Sequence, residues 1–429
     1  MSSRRFKITF LTFLLIFTIG NTFFINYGFA FVYSYQSTIP VWSHSTGNQF
    51  MSAVAISSDG KYIIGSCEDS VSHIEMRPHG KLFLFNNSDH NKKNLLWNYS
   101  ILNGFNSLAI SKNGSNFIAG GGFFSEKSYI FKNYNKTPEM IYNINGKNYD
   151  VELSEDGNIF AIAAGDQYKA FMLNDTNSFS VSQFPVSGLA LRVALSTNGR
   201  YMAVTDKRGS LFYFKTSKTT PEWIFDSPED SFAYLSMSSD GKYIVVGNDN
   251  VYLLTENNSI PEWIFEELGL VNSIKISENG KYLAVGSDKI YFFGCNSSIP
   301  EWTYSINGEI EAVDLSNDGD FIIALDTNSW LYLFNRTSSK PIWRYRLDGY
   351  PTASYDYSLE ISSDGKYIVA GGRHYLYLFD RDIVIPPKLI ISGYSLFHIL
   401  GVIIILVIIS IMILFIKIHK ISNKNKRFN

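Results

Sequence analysis

A Ser-x-(Asp/Asn)-Gly tetrapeptide recurs eight times in this chain of 429 residues. Its copies end at Gly60, Gly114, Gly157, Gly199, Gly241, Gly280, Gly319 and Gly365. Successive copies are 39 to 54 residues apart, and two of the intervals are 42 residues. A period of about this length, filled with several short strands, is typical of the blades of a β-propeller. The repeat therefore predicts an all-β, eight-bladed β-propeller over residues 40–380.

Each tetrapeptide lies between two apolar runs, which in the first copy are residues 54–56 and 62–64. Asp-Gly and Asn-Gly favour a type I′ hairpin turn, in which both central residues have positive φ. A third run rich in aromatic residues follows, as in residues 331–334, and a fourth opens with Pro-x-Trp, as in residues 341–345. Each repeat thus predicts a four-stranded blade, with strands A to D and strand D outermost.

The fourth run carries a tryptophan in most repeats. We expect these side chains to dock each blade on the next: Trp42, Trp97, Trp223, Trp263, Trp302 and Trp343. The first of them precedes the first tetrapeptide, and none follows the eighth. Residues 40–45 are therefore predicted to supply strand D of blade 8 and to close the ring, which removes exposed sheet edges.

Two propeller families share these patterns. Residues 271–286 resemble the first half of a WD40 repeat, although its usual Gly-His and Trp-Asp dipeptides are absent. The Pro-Glu-Trp motifs at Trp223, Trp263 and Trp302 resemble the tryptophan-docking motif of quinoprotein-like propellers, which typically have eight blades. Catalytic quinoproteins hold their cofactor under an adjacent Cys-Cys pair, whereas Cys67 and Cys295 stand apart here. We therefore expect no cofactor, no catalytic residue and no enzymatic activity.

The amino-terminal residues 1–30 have the pattern of an export signal. Arg4, Arg5 and Lys7 precede an apolar run over residues 8–20, and the small residues Gly28 and Ala30 offer a cleavage site. This pattern predicts a secretory signal peptide, and an uncleaved signal anchor is the alternative.

The carboxyl-terminal end has the pattern of a membrane span. After a linker at residues 381–395, the apolar segment 396–416 is long enough, at 1.5 Å per helical residue, to cross about 31 Å. Residues 417–429 contain five basic and no acidic residues. The positive-inside rule places this tail in the cytoplasm. The sequence thus predicts one transmembrane helix and a propeller outside the cytoplasm, at the cell membrane.

The charge distribution excludes one class of partner. The net charge of the whole chain is −2, while residues 1–30 carry three positive charges and residues 389–429 carry five, which leaves −10 between them. Nucleic-acid binding requires a basic surface, so we expect no nucleic-acid partner.

Glycosylation sequons are frequent in the predicted propeller. They begin at Asn86, Asn98, Asn113, Asn135, Asn174, Asn257, Asn296 and Asn335. Six of them fall near the predicted C–D turns, which is consistent with N-glycosylation of an exported domain. The alternative is that asparagine and serine are simply favoured in turns.

Two loops exceed what the repeat needs, and both belong to blades that become neighbours on ring closure. One is the insertion at residues 67–79 of blade 1, and the other is the connection at residues 348–355 before blade 8. Long loops on a rigid scaffold commonly carry recognition. The candidate interaction patch comprises Glu68, Asp69, His73, Glu75, Arg77, His79, Tyr355, Arg373 and His374.

Zinc is a possible ligand of this patch by residue type, but the spacing matches no standard zinc motif, so no metal is predicted. An irregular solvated loop is the simpler interpretation. The sequence thus favours a membrane-anchored, non-catalytic module that binds a protein or a glycan. The alternatives are a quinoprotein-like oxidoreductase and a structural component of cell-envelope assembly.

Overall fold

A computed structural model describes residues 31–32, 36–69, 79–89, 92–122, 125–175, 180–227, 234–266, 269–349, 358–385, 390–391 and 410. The chain forms two units: residues 36–385, and the two ends taken together, residues 1–35 and 386–429. In the latter unit, strand Phe31–Val32 pairs antiparallel with Ile390–Ile391.

The predicted signal segment 1–30 lies outside the described residues, as does the predicted span 396–416 except for Ser410. Among the residues that are described, no helix is both long enough and apolar enough to span a bilayer.

Residues 36–385 form eight four-stranded antiparallel sheets, so the predicted eight-bladed propeller is confirmed. In blade 1, strands A to D are Phe50–Ile56, Tyr62–Glu68, His79–Asn86 and Asn94–Leu102, and in blade 2 they are Phe105–Ile110, Asn116–Gly121, Lys127–Lys132 and Met140–Asn143. In blade 3 they are Asn148–Leu153, Ile159–Ala164, Lys169–Asn174 and Ser180–Pro185, and in blade 4 they are Ala190–Leu195, Tyr201–Asp206, Ser210–Lys215 and Trp223–Asp226. A short 3₁₀ helix, Gly165–Gln167, joins strands B and C of blade 3.

Blades 5 to 8 follow the same order, except that the last blade takes its outer strand from the other end of the chain. In blade 5, strands A to D are Tyr234–Met237, Tyr243–Gly247, Val251–Thr255 and Asn258–Phe265, and in blade 6 they are Ser273–Ile276, Tyr282–Gly286, Lys289–Gly294 and Trp302–Ser305. In blade 7 they are Ile310–Leu315, Phe321–Asp326, Trp330–Asn335 and Trp343–Arg346, and in blade 8 they are Leu359–Ile361, Tyr367–Gly371, Tyr375–Asp380 and Trp42–Ser45. Strand Trp42–Ser45 pairs antiparallel with residues 375–378, so the amino-terminal strand completes blade 8.

The repeated tetrapeptide forms the A–B turn, but the predicted turn type was wrong. In the first copy, Gly60 N donates to Ser57 O at 2.8 Å and Gly60 has φ +69°, whereas Asp59 is not at positive φ. The Asp59 carboxylate instead accepts hydrogen bonds from Ser57 Oγ and Lys61 N. Side-chain bonds to nearby backbone compete with a two-residue hairpin, because they stabilise a longer turn in which glycine alone is left-handed.

Eight main-chain hydrogen bonds join these turns into a closed circuit around the propeller axis. The donor is the second residue of the tetrapeptide in seven blades and the third residue in blade 6, and the acceptor is always in the next blade. The bonds, of 2.9 to 3.4 Å, run Ser58→Lys112, Lys112→Glu155, Glu155→Thr197, Thr197→Ser239, Ser239→Glu278, Asn279→Asn317, Asn317→Ser363 and Ser363→Ser58. The repeated turn therefore both reverses the chain and closes the ring at its centre.

Packing between blades accounts for the core. Each of the eight apolar clusters joins residues of two neighbouring blades. The residue two places after the turn glycine, which is aromatic in six of the eight blades, packs against the turn glycine of the following blade, so that a Cβ added to Gly60 would lie 2.3 Å from Tyr367. The Gly-Lys-Tyr sequence is thus a contact between blades as well as a strand start.

Five of the six predicted docking tryptophans donate an indole hydrogen bond to the next blade, just after its strand C. The acceptors of Trp97, Trp223, Trp263, Trp302 and Trp343 are the carbonyl oxygens of Asn133, Glu256, Cys295, Arg336 and Arg381, at 2.7 to 3.1 Å. Trp42 is buried in the same position of blade 8, but its Nε1 has no hydrogen-bond partner among the described residues.

Candidate functional site

The junction between blades 8 and 1, here called the seam, is organised by the buried side chain of Gln49, which precedes strand A of blade 1. Its Nε2 donates to His79 O at 3.1 Å, and its Oε1 accepts from Cys67 Sγ at 3.3 Å. Its main-chain oxygen lies 3.3 Å from Nδ1 of His374 in blade 8. Gln49 thus fixes the relative positions of the two predicted patch regions.

The blade 1 insertion is shorter than predicted, because strand pairing continues into it. Glu68 pairs with Gly80 in the sheet, so strand B reaches Glu68 and strand C begins at His79. Asp69 N donates to His79 O at 3.0 Å, which closes the base of the loop. The predicted patch residues His73, Glu75, Arg77 and Tyr355 lie outside the described residues.

On the blade 8 side of the seam, Arg373 and His374 both lie beside the aromatic ring of Phe50. The exposed Arg373 guanidinium lies 5.3 Å from the centre of the Phe50 ring, within cation–π range. The His374 ring lies 4.9 Å from the same Phe50 ring, and its main-chain N–H donates to Asp348 Oδ2 at 2.9 Å. The structure therefore brings Glu68, Asp69, His79, Arg373 and His374 to one junction.

The electrostatics of the seam do not indicate catalysis. Burial, reinforced by the charge of Asp69, raises the pKa of Glu68 to about 7, and burial raises the pKa of the Cys67 thiol to about 12. A thiol of that kind is not ionised at neutral pH and is a poor nucleophile. In the part of the chain that is described, no three His, Cys, Asp or Glu side chains converge on a possible metal position.

The sequons lie mostly at one rim. Asn98 is in strand D of blade 1 and Asn113 is in an A–B turn, while the other six end a strand C or lie in the turn that follows. Those that are exposed are Asn98, Asn113, Asn135, Asn257 and Asn296, and those that are partly buried are Asn86, Asn174 and Asn335.

Sequence reasoning missed a second polar site, a cavity of about 260 Å³ on the propeller axis, here called the axial cavity. It is lined by strand A residues beside the tetrapeptides. The position two residues before each tetrapeptide serine is occupied, in blade order, by Ala55, Ala109, Glu152, Ala194, Ser236, Lys275, Asp314 and Glu360. Aligning the repeats would have revealed this signal, because charged residues interrupt otherwise apolar strands at one fixed register.

Several of these side chains connect one blade to the next. Glu360 Oε2 accepts from Ile56 N at 2.8 Å, and Asp314 Oδ2 accepts from Ile361 N at 2.9 Å. In blade 5, Ser236 Oγ accepts from Ile276 N at 3.1 Å. We call these bonds staples, because each satisfies a main-chain donor on the inner edge of the following blade.

Burial dominates the ionisation of the axial carboxylates, which we define as Glu152, Asp314 and Glu360. Burial and the neighbouring Asp314 raise the pKa of Glu360 to about 8, and burial and Asp150 raise the pKa of Glu152 to about 7. Burial also raises the pKa of Asp314. The positive charge of Lys275 opposes all three shifts but does not cancel them.

Comparison with known proteins supports the fold and leaves the activity open. No known family and no curated protein matches the sequence. Solved structures of Sqt1 from Chaetomium thermophilum are similar, with a TM-score of 0.68 and 12% identity over 80% of this chain and 99% of theirs. Sqt1 bound to the N-terminus of the ribosomal protein L10 matches with a TM-score of 0.67, also at 12% identity, over 80% and 100%. At this identity the likeness shows the propeller fold alone.

Proposed function

We propose that this protein is a non-catalytic, membrane-anchored module that binds a protein partner through the seam. The observation that carries the proposal is the convergence of exposed His79 and Arg373 with half-buried Glu68, Asp69 and His374 around Gln49. Both signs of charge and an aromatic ring lie together there, on a framework fixed by hydrogen bonds. Such a surface suits a protein segment of mixed polarity.

The structural neighbours are compatible with a protein partner. Sqt1 has been solved with the N-terminus of another protein bound, so a propeller of similar size can hold a protein segment. The buried Cys67 thiol and the hydrogen-bonded His374 leave the described part of the seam without an activated nucleophile. Recognition therefore fits this site better than chemistry.

Site-specific photo-crosslinking tests the position of the binding site. A photoreactive amino acid replaces Arg373 in the full-length chain, which is then irradiated in intact cells. The matched control replaces Arg208, an exposed arginine in the B–C connection of blade 4, on the opposite side of the ring. We expect a crosslinked protein of defined mass from position 373 and none from position 208.

Three other outcomes would count against the proposal. Equal crosslinking from both positions would mean that the seam has no special role. Crosslinking from position 208 alone would place the partner on another part of the ring. Crosslinked species that vanish after glycosidase treatment would mean that the partner is a glycan and not a protein.

The membrane setting rests on the sequence. The apolar segment 396–416 with its basic tail supports a single span, and the signal-like residues 1–30 support export of the propeller. Protease added to intact cells should remove the propeller and spare an epitope placed after Asn429. Loss of that epitope with the propeller intact would show that the orientation is the reverse of the proposed one. Release of the protein from membranes by high salt would show that it has no transmembrane anchor.

A further inference from the structure

We propose that the axial carboxylates share a proton at neutral pH, and that this makes the junctions on both sides of blade 8 a proton-sensitive latch. The inference goes beyond the proposed function, because it concerns ring closure and needs no partner. It rests on the staples, on the grouping of charged side chains around the axial cavity and on an imbalance among their charges.

Two of the axial carboxylates hold blade 8 in the ring. Asp314 of blade 7 accepts from Ile361 N of blade 8, and Glu360 of blade 8 accepts from Ile56 N of blade 1. The outer strand of blade 8 comes from the amino-terminal end, and its tryptophan makes no indole hydrogen bond to a described residue. Blade 8 therefore lacks, among the described residues, the outer indole hydrogen bond by which blades 1 and 4 to 7 hold the following blade.

The charges around the cavity do not balance. Those that line it are Lys112, Glu152, Glu155, Lys275, Glu278, Asp314 and Glu360. At the mouth, Lys112 and Glu155 form an ion pair at 2.8 Å, and Glu278 accepts from the Ser239 and Ser363 hydroxyls at 3.3 Å. Deeper in the cavity, Lys275 is the one cation among the described residues that faces the three axial carboxylates, and Asp150 adds a further negative charge beside Glu152.

Like charges that lie close together and are partly withdrawn from water retain protons, because ionising all of them is costly. A protonated carboxyl group still has an acceptor oxygen for the amide of Ile56. Proton binding can thus preserve the staple and remove the repulsion between Glu360 and Asp314. Ionisation restores that repulsion, which separation of blade 8 from its neighbours relieves.

The direction of the pH effect follows from linkage. The folded state retains protons on Glu360 and Glu152 that the unfolded chain loses above its ordinary carboxyl pKa of about 4.5. Between about pH 4.5 and the folded pKa values of about 7 and 8, the unfolded state binds fewer protons than the folded state. The free energy of unfolding therefore falls as the pH rises through this range. Above about pH 8 the effect is complete.

Native-state hydrogen exchange of the full-length chain in detergent, corrected for intrinsic rates, tests the latch between pH 6 and pH 9. We expect protection of strands Phe50–Ile56 and Leu359–Ile361, which contain the two stapled amides, to fall by about tenfold. Strand Ser273–Ile276 serves as the internal control, because its Ile276 amide is stapled by the uncharged Ser236. Its protection should not fall, because ionised axial carboxylates attract Lys275 of that strand more strongly.

Two variants distinguish the latch from general loosening. Glu360→Gln keeps an acceptor for Ile56 N but cannot ionise, so it should reduce the pH dependence to the smaller part that Glu152 contributes. Glu152→Gln removes one charge without altering either staple of blade 8, and should reduce the dependence if the first variant does not fold. The proposal fails if either folded variant keeps the wild-type pH dependence, or if the Ile276 strand loosens equally.

Discussion

The junction between blades 5 and 6 and the junction between blades 8 and 1 are built on one plan but completed differently. At the first, Trp263 lies on an eight-residue strand D, Asn258–Phe265, and donates to Cys295 O at 2.9 Å. At the second, Trp42 lies on a four-residue strand from the other end of the chain. Its indole nitrogen is buried without a partner among the described residues.

The inner halves of the two junctions are nevertheless alike. Ser239 N donates to Glu278 O at 2.9 Å in one, and Ser363 N donates to Ser58 O at 3.1 Å in the other. The comparison shows that the repeated turn closes the ring at the axis in the same way, whichever part of the chain supplies the outer strand D. It also shows that the outer part of the seam has a weaker connection, and the following predictions test that contrast.

The largest expected effect comes from removing the closing strand. Deletion of residues 38–46 eliminates the pairing of strand Trp42–Ser45 and exposes the edge of strand Tyr375–Asp380, together with the apolar surface around Trp42. We expect a loss of about 3–5 kcal/mol of unfolding free energy, measured by thermal unfolding of the full-length chain. An unchanged melting temperature would show that blade 8 does not need this strand.

An intermediate effect is expected from those turn glycines that contact an aromatic ring of the preceding blade. In Gly60→Ala the new Cβ would lie 2.3 Å from Tyr367, and in Gly280→Ala it would lie 2.7 Å from Tyr243. Positive φ adds strain in both, so we expect losses of about 1–3 kcal/mol, larger for Gly60→Ala.

Gly47→Ala is the matched control for this pair. Gly47 also has positive φ, at +74°, but no atom lies within 4 Å of its added Cβ. It should show the backbone strain alone, on the order of 1 kcal/mol. Equal losses in all three variants would mean that the contact between blades contributes little.

The smallest effect is expected from the indole hydrogen bonds. Trp302→Phe removes a bond of 2.7 Å to Arg336 O, whereas Trp42→Phe removes a donor that has no partner among the described residues. Trp302→Phe should therefore lose about 1 kcal/mol more in chemical denaturation than Trp42→Phe. A larger loss at Trp42 would mean that its indole nitrogen does bond in solution.

The fold was predictable because a few residue types recur at fixed positions in each repeat. Serine, Asp or Asn, and glycine at fixed spacing specify the turn through local hydrogen bonds, and eight turns specify eight blades, because each blade must bury its apolar faces against another. The turn type was misjudged, since the Asp-Gly pair alone does not report the Ser57 hydroxyl that competes for Asp59. The Trp pattern likewise indicated the docking positions, but not that the indole nitrogen of Trp42 lacks a partner among the described residues.

The number of blades, the strand order and the residues available for closure are encoded locally, because they follow from turns and alternating apolar runs. Tertiary structure alone decided which side chains meet. Successive members of the set Glu152, Lys275, Asp314 and Glu360 are 39 to 123 positions apart in the sequence, and only the ring brings them to one axis. Gln49 joins His79 to His374 only because strand Trp42–Ser45 completes blade 8 and brings that blade against blade 1. Interactions through space depend on the geometry of the closed ring, which local spacing does not encode.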